Sequence, residues 1–399
     1  MKLALVSPYD FAYPGGVTSH VAHLADQFRA RGHEVHIIAP SSDEEAEPVR
    51  EPNVHRIGRV VSIPANGSVA RITLSLRAYL QTKRLLQAEQ YDLIHLHEPM
   101  MPALPLTVLR HSQSVNVGTF HAFRNTPLTY FYGKPILRPF FRKLQGHIAV
   151  SEAALEFVGE YFPADYRIIP NGIDFERFHR RYPRLDGLAE SRPTVLFVGR
   201  LEKRKGLRFL LRAWPEVLRR HPEARLVVVG RGRPLEGYRR FAARQGWSPE
   251  DVVFAGYVSD EDLPRYYQAA DVFCAPNTGQ ESFGIVLLEA MAAAVPIVAA
   301  DIPGYRDVVT HEREGLLVET KNTGALADAI CRLLANPSLR ASMREAGPHK
   351  ARRYDWPRVA GEVLEYYSDV LDRQVEVPQV QAPRFARVRR MAGLLHGGP

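Results

Sequence analysis

Alternation of strand-like and helix-like segments, in two series, constrains the fold of this chain most. The strand-like segments read KLALVS, EVHIIAP, DLIHLH, VNVGTF and GHIAVS in the first series, and TVLFVGR, RLVVVG, DVVFAGYV, DVFCAP and PIVAA in the second. Such alternation predicts parallel sheets with crossover helices, that is, an α/β protein. Residues 176 to 193 interrupt it with charge and proline, which is typical of a linker. We therefore expect two Rossmann-like, doubly wound domains.

This division gives the predicted domain boundaries. An N-terminal domain spans 1–183 and a C-terminal domain spans 184–355. Apolar residues at helical spacing predict that segment 356–373 is a helix packed on another surface. The basic, proline-rich and glycine-rich tail 374–399 is expected to be mobile. Because ligands bind beyond the carboxyl ends of strands in doubly wound sheets, two facing domains would form a cleft around one ligand.

Composition and charge narrow the functional classes. The 399 residues are 45% hydrophobic and 24% charged, which suffices for two buried cores. A formal charge of +8 favours an anionic partner: a phosphate ligand, an anionic lipid surface or nucleic acid. We find no recognition module for nucleic acid and expect no such partner. The apolar runs are too short for a membrane span or a secretory signal, so we expect a cytoplasmic protein.

The sequence offers little support for a metal centre. The two cysteines lie singly in apolar patterns, as small core residues do. His95 and His97 alternate on a strand and would face the same side, but no third ligand stands near them in sequence. An Asp-x-Asp in SDEDLPRYY opens a predicted helix, where Ser259 or Asp260 would act as the cap. We expect no metal ion.

The loops that follow strands contain the candidate binding residues. Gly15 and Gly16 lie between the first strand and a helix predicted from Val17, where the backbone could approach a phosphate or sugar. A plain glycine turn is the alternative. In VGRLEKRKG, Arg200 and then Lys203 to Lys205 follow a strand, and such cations can neutralise a diphosphate. Solvated loop charges are the alternative.

A third candidate lies in ESFGIVLLEAMAAA, where a carboxylate interrupts an apolar helical segment. Glu281 precedes a helix predicted to begin near Ile285, and Glu289 lies about one turn inside it. The N–H groups near Gly284 would face an anion. A carboxylate accepts hydrogen bonds from vicinal hydroxyls, so a ribose or sugar diol would satisfy Glu289. A buried ion pair of Glu289 with an arginine or lysine is the alternative.

Together these motifs resemble retaining glycosyltransferases of family 4, which have the GT-B fold. The resemblance rests on PGGV, IPNGID, the VGR strand end with its basic loop, and the Glu-x7-Glu pattern, in this order over nearly the whole chain. Within that family, PYDFAYPGGVTSHV, IPANGSVAR, LIHLHEP, GTFHAF, ILRPF and ESFGIVLLEAM are similar to segments of bacterial phosphatidylinositol mannosyltransferases. The resemblance implies that the helix 356–373 returns to the N-terminal domain.

The resemblance also implies roles for individual residues. Glu281 would hold hydroxyls of the transferred sugar, Glu289 the ribose, and His121 would face the sugar from the N-terminal domain. The implied catalytic residues are His121, Glu281, Arg200 and Lys205. The implied donor-binding residues are Gly15, Gly16, Arg200, Lys205, Val258, Glu281, Phe283, Gly284, Ile285 and Glu289. The implied acceptor-binding residues are Tyr9, Thr18, Asn66 and Arg71.

Two departures from the mannosyltransferase pattern concern the acceptor. Thr18 and Met100 stand where those enzymes usually have amides. A separate segment, LTYFYGKPILRPFFRKLQGH, mixes aromatic residues with Lys134, Arg138, Arg142 and Lys143. Such a surface can rest on an anionic membrane, although a half-buried helix with charged edges would look similar. With a lipid acceptor, we favour a peripheral position at the inner face of the cell membrane.

The expected activity is metal-independent, retaining transfer of a hexose, with mannose from GDP-mannose as the best match, to a lipid acceptor such as phosphatidylinositol. The expected partners are thus a nucleotide-sugar, a lipid acceptor and an anionic membrane surface, with no cofactor. Three alternatives stay open: a UDP-sugar donor with another lipid or soluble acceptor, a sugar-nucleotide epimerase on the same fold, and a nucleic-acid-binding protein suggested by charge alone.

Overall fold

The computed structural model describes most of the chain. The described residues are 1–13, 15–42, 53–65, 68–73, 75–121, 127–183, 185, 188 and 192–373. The predicted tail 374–399 and the candidate acceptor residue Asn66 lie outside this part. The division between 183 and 184 stays a prediction.

The first half of the chain alternates strands and helices as predicted. Its strands are β1 (Lys2–Val6), β2 (Glu34–Ala39), β3 (Val54–Arg56), β4 (Val60–Ala65), β5 (Ser68–Thr73), β6 (Leu93–His97), β7 (Val115–Phe120), β8 (Gly146–Ala149) and β9 (Arg167–Ile168). Its helices are α1 (Gly16–Arg29), α2 (Leu76–Ala88), α3 (Leu104–His111), α4 (Pro127–Phe141), α5 (Glu152–Tyr161) and α6 (Phe175–His179). The helix predicted from Val17 thus begins one residue earlier.

The second half repeats the alternation. Its strands are β10 (Thr194–Val198), β11 (Arg225–Val229), β12 (Val252–Gly256), β13 (Val272–Ala275), β14 (Ile297–Ala300) and β15 (Gly315–Val318). Its helices are α7 (Leu207–Arg220), α8 (Leu235–Arg244), α9 (Leu263–Gln268), α10 (Ile285–Ala292), α11 (Pro303–Arg306), α12 (Thr323–Ala335), α13 (Pro337–Ala351) and α14 (Trp356–Asp372). A 3-10 turn, Lys203–Lys205, precedes α7.

Two parallel sheets result, and both are doubly wound. The first has the order β3-β2-β1-β6-β7-β8-β9 and the second β12-β11-β10-β13-β14-β15, while β4 and β5 form a separate antiparallel pair. The chain reverses its winding direction between β1 and β6, and again between β10 and β13. Ligand crevices in such sheets lie at these switch points. The predicted pair of Rossmann-like halves is confirmed.

The helix α14 packs on the first half, as expected. Its apolar face shares one core with β1, β2 and α1. The Tyr367 ring lies 5.7 Å from that of Phe28, and its hydroxyl is 2.6 Å from Nδ1 of His95. The Tyr366 hydroxyl accepts a hydrogen bond from the main-chain N–H of His147 (2.9 Å). Helix α14 is therefore part of the first half's core although it ends the described chain.

The interpretation of residues 176 to 193 as a linker needs a correction at its start. Helix α6 lies there, capped by the Asp174 carboxylate, which accepts from the N–H of Arg177 (3.0 Å). Phe175 and Phe178 are buried in the core of the second half. Two aromatic residues three positions apart fall on one face of a helix, which makes this burial possible.

In the part of the chain that the structure describes, no helix is both long and apolar enough to cross a lipid bilayer.

The joint between Gly172 and α14 gives a stability test. A Cβ atom added at Gly172 would overlap the Trp356 ring. We expect Gly172→Ala to lower the free energy of unfolding by about 1–3 kcal/mol, the usual cost of overpacking. Gly361→Ala is the matched control, because Gly361 lies inside α14 with open space around its Cα. Urea unfolding should find that control within about 1 kcal/mol of wild type, on the stable side. Equal midpoints for both variants would contradict the packing.

Candidate active site

The basic loop after β10 and the acidic loop after β13 touch through their backbones. Gly206 has a φ of 75°, in the left-handed region that favours glycine, and a Cβ there would overlap the carbonyl oxygen of Pro276. The Thr278 N–H donates to the carbonyl oxygen of Arg204 (2.8 Å). Since β10 and β13 are neighbouring strands, their loops meet at one edge of the sheet. The contact brings the basic side chains to the acidic loop.

Glu281 lies at the centre of this charge cluster. Its Oε1 is 2.6 Å from Nζ of Lys205, is paired with Nη1 of Arg204, and accepts from Nδ2 of Asn277 (3.1 Å). Burial alone raises the pKa of the Glu281 carboxyl, but Lys205 and Arg204 outweigh burial and hold that pKa below its ordinary value. Glu281 is therefore an ionised carboxylate held in one orientation.

Glu289 lies in a less polar setting on α10. Its Oε2 accepts a hydrogen bond from the Tyr267 hydroxyl (2.7 Å). Burial raises the pKa of its carboxyl, while Tyr267, Arg177 and Lys205 act in the opposite direction. The alternative for Glu289 is a buried ion pair with an arginine or lysine. Among the described residues such pairs form at Glu281, with Arg204 and Lys205, and none forms at Glu289. Lys205 lowers the pKa of both carboxyls, so both lie within electrostatic reach of one ammonium group.

The amino end of α10 stands beside these carboxylates. Gly284 has a φ of 98°, and a Cβ there would lie 2.6 Å from Cε1 of Tyr305. The first N–H groups of a helix have no partner within it and attract anions. Phe283 is buried, and Ile285 and Val258 are half-buried against the same apolar core. The predicted helix start near Ile285 is confirmed, with glycine providing the required turn.

Arg200 is more exposed than Arg204 and Lys205. Its side chain is 61% exposed, and its Nη1 lies 3.2 Å from Oε1 of Glu202. The other oxygen of Glu202 accepts from Nε of Arg204 (2.9 Å). Glu202 therefore holds two arginines at the edge of the cluster, one of them in contact with Glu281.

Across the gap, His121 follows β7 at the edge of the first sheet. Its Nε2 is 2.9 Å from Nδ1 of His97, and its main-chain N–H donates to the Glu98 carboxylate (2.6 Å). The Asn171 side chain lies close enough to the rings of His121 and His20 to act to raise the pKa of both. Burial lowers the pKa of His121 to about 4, and Asn171 only partly opposes this. At neutral pH, His121 is thus an uncharged imidazole.

No possible third ligand stands near His95 and His97 in sequence, but the fold brings two further imidazoles to His97. Helix α1 brings His20 to the same point, and β7 brings His121, so that His20, His97 and His121 form a cluster of imidazoles. The His95 ring lies 4.3 Å from the His97 ring, but its own nitrogens are satisfied by the hydroxyls of Tyr367 and Thr119, each at 2.6 Å. These residues are far apart in sequence, and only the parallel sheet brings them together.

The predicted acceptor residues surround the loop after β1. Nη1 of Arg71 lies 3.7 Å from Oδ2 of the buried Asp10, and its guanidinium stacks 3.4 Å from the centre of the Tyr13 ring. Tyr9 lies close enough to Glu98 for that carboxylate, together with burial, to raise the pKa of its hydroxyl. Both residues are near the His121 edge.

Thr18 has a structural task. It is buried, and its hydroxyl donates to the carbonyl oxygens of Gly15 (2.9 Å) and Tyr13 (3.2 Å). Gly15 precedes α1 with an extended φ of −162°, and a Cβ at Gly16 would meet open space. Packing in the described residues thus gives no reason for glycine at 16.

The two halves touch directly beside the acidic loop. The Ser151 hydroxyl, at the start of α5, donates to the carbonyl oxygen of Ser282 (2.5 Å). Two residues along, the Ala153 N–H donates to the Asp307 carboxylate (3.3 Å). Ser282 directly follows Glu281 in the chain, so this contact fixes the acidic loop against the first half.

Two further predictions are modified by the structure. Helix α9 begins at Leu263 with Asp262 as its cap residue, and Ser259 accepts from the Asp262 N–H (3.1 Å) instead of capping the helix itself. On α4, Tyr132 and Ile136 are 73% and 70% exposed, as a membrane-facing side would be. Lys143, however, is buried and donates to the Ser112 carbonyl oxygen (2.8 Å), so it cannot face a membrane.

Comparison with known proteins identifies the family. The model described as "Glycosyltransferase Family 4" matches residues 14–177, and "Glycosyl transferases group 1" matches 192–336. The chain is 40% identical to the phosphatidyl-myo-inositol mannosyltransferase of Mycobacterium leprae, over 93% of this chain and 97% of the relative. The chain belongs to glycosyltransferase family 4. This resemblance, inferred from the sequence motifs, is thereby confirmed.

One further relative is similar to this glycosyltransferase over part of the chain, and a solved structure is similar to it in fold. A GDP-mannose-dependent alpha-(1-6)-phosphatidylinositol monomannoside mannosyltransferase of Mycobacterium tuberculosis is 33% identical over 53% of this chain and 58% of its own. The structure of sucrose-phosphate synthase from Thermosynechococcus elongatus aligns with a TM-score of 0.75 at 22% identity, covering 94% of this chain and all of that one. The GT-B architecture is confirmed.

Several residues of this glycosyltransferase's site were missed from the sequence. They are His20, Glu98, Asn171, Tyr267 and Asn277. Asn171 lies in the quoted IPNGID motif and Glu98 in the quoted LIHLHEP motif, so both had a signal. His20 and Tyr267 lie within ordinary amphipathic helices, where nothing in the local pattern separates them from core residues.

Buried neutral histidines predict a stability that falls in acid. Burial lowers the pKa of His147, as it does that of His121, to about 4. Between about pH 6.5 and 4 the unfolded chain therefore binds more protons than the native protein, and stability drops as pH falls. From pH 7 to 5, one such group costs about 2 kcal/mol. His147→Phe should remove that share, as measured by urea unfolding at both pH values; an unchanged pH dependence in this variant would contradict it.

Proposed function

We propose that this glycosyltransferase transfers mannose from GDP-mannose to a phosphatidylinositol-type lipid, with retention of anomeric configuration and without a metal ion. The observation that carries the proposal is the ionised Glu281, held by Lys205 and Arg204 beside the amino end of α10. Acid, cations and helix end together suit a sugar linked to a diphosphate. The names of the relatives in Mycobacterium support the choice of donor and acceptor.

The cations would change partners when the donor binds. Glu281 accepts hydrogen bonds from sugar hydroxyls, while Lys205 and Arg200 turn towards the diphosphate. Breaking the sugar–phosphate bond places extra negative charge on the departing diphosphate. Cations and the N–H groups of Gly284 and Ile285 stabilise that charge more in the transition state than in the ground state. This difference is the source of the rate acceleration.

The acceptor hydroxyl attacks the face of the sugar that the diphosphate leaves. The bond from the anomeric carbon to phosphate oxygen breaks, the bond to acceptor oxygen forms, and the leaving phosphate takes the acceptor proton. His121, uncharged and held by its contact with His97 and its N–H bond to Glu98, lines the sugar from the first half. No protein base is needed in this scheme. Closure of the two halves excludes water and limits hydrolysis.

On the nucleotide side, Glu289 would bind the ribose. Its carboxylate has one hydrogen bond, from Tyr267, and has acceptor capacity for a diol. Burial of Phe283 and Val258 gives the ribose and sugar an apolar floor. Gly16 would let the loop before α1 approach the phosphates, since a Cβ there meets no protein atom within 4 Å. The Arg71 guanidinium would contact the lipid phosphate.

Product analysis with purified protein tests donor and acceptor together. GDP-mannose, GDP-glucose, UDP-glucose and UDP-galactose are each supplied with phosphatidylinositol vesicles, with diacylglycerol vesicles, and with no acceptor. We expect mannosylated phosphatidylinositol from GDP-mannose alone, in the presence of EDTA. Transfer from a UDP-sugar would favour the alternative donor, and isomerised nucleotide-sugar without acceptor would identify an epimerase. Either result overturns the proposal.

Variants of the two acids separate their roles. Glu281→Ala should abolish transfer while the protein remains folded, because the sugar hydroxyls lose their acceptor. Glu289→Ala should mainly weaken nucleotide binding, seen as a smaller thermal stabilisation by GDP. Glu261→Ala is the matched control, an exposed acid of the same half, and should behave as wild type. Unchanged turnover in both site variants would end the assignment.

The lipid acceptor requires access to a membrane, and α4 with its following turn provides a candidate surface. Arg138 and Arg142 are exposed there and lie four residues apart, in the same segment as the exposed Tyr132 and Ile136. Each basic residue near an anionic surface contributes roughly 1 kcal/mol. We therefore propose peripheral binding of this surface to anionic lipid.

Flotation with vesicles tests the surface. The double variant Arg138→Gln, Arg142→Gln should bind anionic vesicles more weakly by about 2 kcal/mol, or roughly 30-fold. Arg219→Gln with Arg220→Gln removes the same charge from α7 in the second half and should bind as wild type does. Neutral vesicles should recover little of any form. Equal loss in both double variants would show that only net charge matters, and would reject a specific surface.

A further inference from the structure

The imidazole cluster of His20, His97 and His121 has the geometry of a metal-binding group. One nitrogen from each ring lies within 4.8 Å of the other two. The ring centres form a triangle with sides of 5.1 Å (His20–His97), 4.9 Å (His20–His121) and 5.2 Å (His97–His121). Three imidazoles bound tetrahedrally with metal–nitrogen bonds of about 2.1 Å have ring centres about 5 Å apart. The three rings are thus already spaced as ligands.

Two nitrogens in this cluster lack hydrogen-bond partners. These are Nδ1 of His20 and Nε2 of His97, within the described part of the chain, in side chains that are only 4% and 0% exposed. Buried polar atoms are rarely left unsatisfied, and each such case needs a reason. An ion bound through Nδ1 of His20 would give that nitrogen a partner that the described residues do not supply.

The His97 and His121 rings need only a small movement to bind one ion together. Nδ1 of His97 and Nε2 of His121 are 2.9 Å apart and joined by a hydrogen bond. Two imidazole nitrogens on one tetrahedral ion lie about 3.4 Å apart. Replacing the proton by an ion therefore requires a shift of well under about 1 Å. Rotation of the rings about their side-chain bonds can provide it.

The surroundings provide outer-shell support and an entrance. The Asn171 side chain lies close to the rings of His20 and His121, and the Glu98 carboxylate accepts from the His121 main-chain N–H (2.6 Å). Such outer-shell partners orient ligating histidines. His20 and His97 are buried but His121 is only half-buried, so an ion can enter from the gap between the halves. The fourth position would then face that gap.

A second group of possible ligands, His36, His55 and Glu89, differs in its contacts. Nδ1 of His36 is already within 2.9 Å of the Tyr91 hydroxyl and 3.0 Å of Nε2 of His55. The Glu89 carboxylate pairs with Nζ of Lys2 at 2.6 Å. The possible ligand atoms of this second group already contact other protein groups. Variants of the second group can therefore serve as controls for metal binding.

We propose that His20, His97 and His121 bind one divalent transition-metal ion of the Zn²⁺ type, and that its occupancy inhibits the enzyme. Imidazole selects Zn²⁺, Co²⁺, Ni²⁺ and Cu²⁺, whereas Mg²⁺ and Ca²⁺ require oxygen ligands and would not compete. Inhibition follows because the ion takes the His121 ring that faces the transferred sugar; this second part rests on the proposed function. The ion is an inhibitor here and has no part in sugar transfer.

Binding is tested without any substrate. Full-length protein freed of metal with EDTA and desalted is titrated with Co²⁺, and the visible absorption of the bound ion is followed. We expect one ion per chain with the intense bands of tetrahedral Co²⁺, displaced by Zn²⁺ but not by excess Mg²⁺. Weak octahedral bands only, or binding that Mg²⁺ reverses, would overturn the site.

Variants locate the ion. Loss of an outer-shell partner weakens metal binding roughly 10–100-fold. His20→Ala and His121→Ala remove a ligand, so each should weaken Co²⁺ binding by more than that. Asn171→Ala should weaken it by about 10-fold. His55→Ala, from the second group, should bind as wild type. Circular dichroism verifies folding of each variant, and His121→Ala covers the case in which the buried His20 is needed for folding. Equal affinity in His121→Ala and wild type would place the ion elsewhere.

The inhibitory part is tested separately. With wild-type enzyme, micromolar Zn²⁺ should reduce mannosyl transfer and EDTA should restore it. His55→Ala should be inhibited equally, whereas any transfer left in His20→Ala should resist Zn²⁺. If Co²⁺ binds tightly but Zn²⁺ does not reduce transfer, the proposed inhibition is wrong and the proposed metal site remains supported. If no transfer is found with any donor, the proposed function fails while the spectroscopic result for the site stands by itself.

Discussion

The backbone contact between Gly206 and Pro276 is the constraint on which the rest of the second half's site depends. It joins the loops of two neighbouring strands so closely that no side chain fits at position 206. Lys205 precedes this point and Glu281 follows it by five residues along the other loop. The backbone contact therefore places the opposite charges of Lys205 and Glu281 close together. The entropy cost of ordering them is met largely by the fold.

The resulting ion cluster resolves a conflict between burial and charge. A carboxylate as buried as Glu281 is unstable without partners, and two cations and an amide supply them. The same partners are those that a diphosphate and a sugar would compete for. Without a donor, the charges of Glu281, Lys205 and Arg204 neutralise one another. In the proposed function, a bound donor would replace these contacts with its own. Pre-organised groups of this kind need little rearrangement when charge develops.

The first half contributes polarity of a different kind. Its edge has uncharged imidazoles, fixed by the hydrogen bond from the His121 N–H to Glu98 and by contacts with one another. Helix α14 supports them from behind, since Tyr367 bonds to His95 and Trp356 packs edge-on against His20 at 5.1 Å. A histidine cluster with a low proton affinity suits a face that meets a sugar, and also a transition metal. Chain segments from both ends of the sequence are required to build it.

The sequence by itself determined the two parallel sheets, the start of α10, the bounds of α14 and the family. These features depend on local patterns, namely alternating apolar runs, glycine before a helix, and motifs along one strand or loop. Only the tertiary structure decided which charges pair, that Lys143 is buried and that His20 joins His97 and His121. Such neighbours come from different strands and helices, and local sequence carries no information about distance between them. Crossover connections place them at one sheet edge, and that placement is a property of the whole fold.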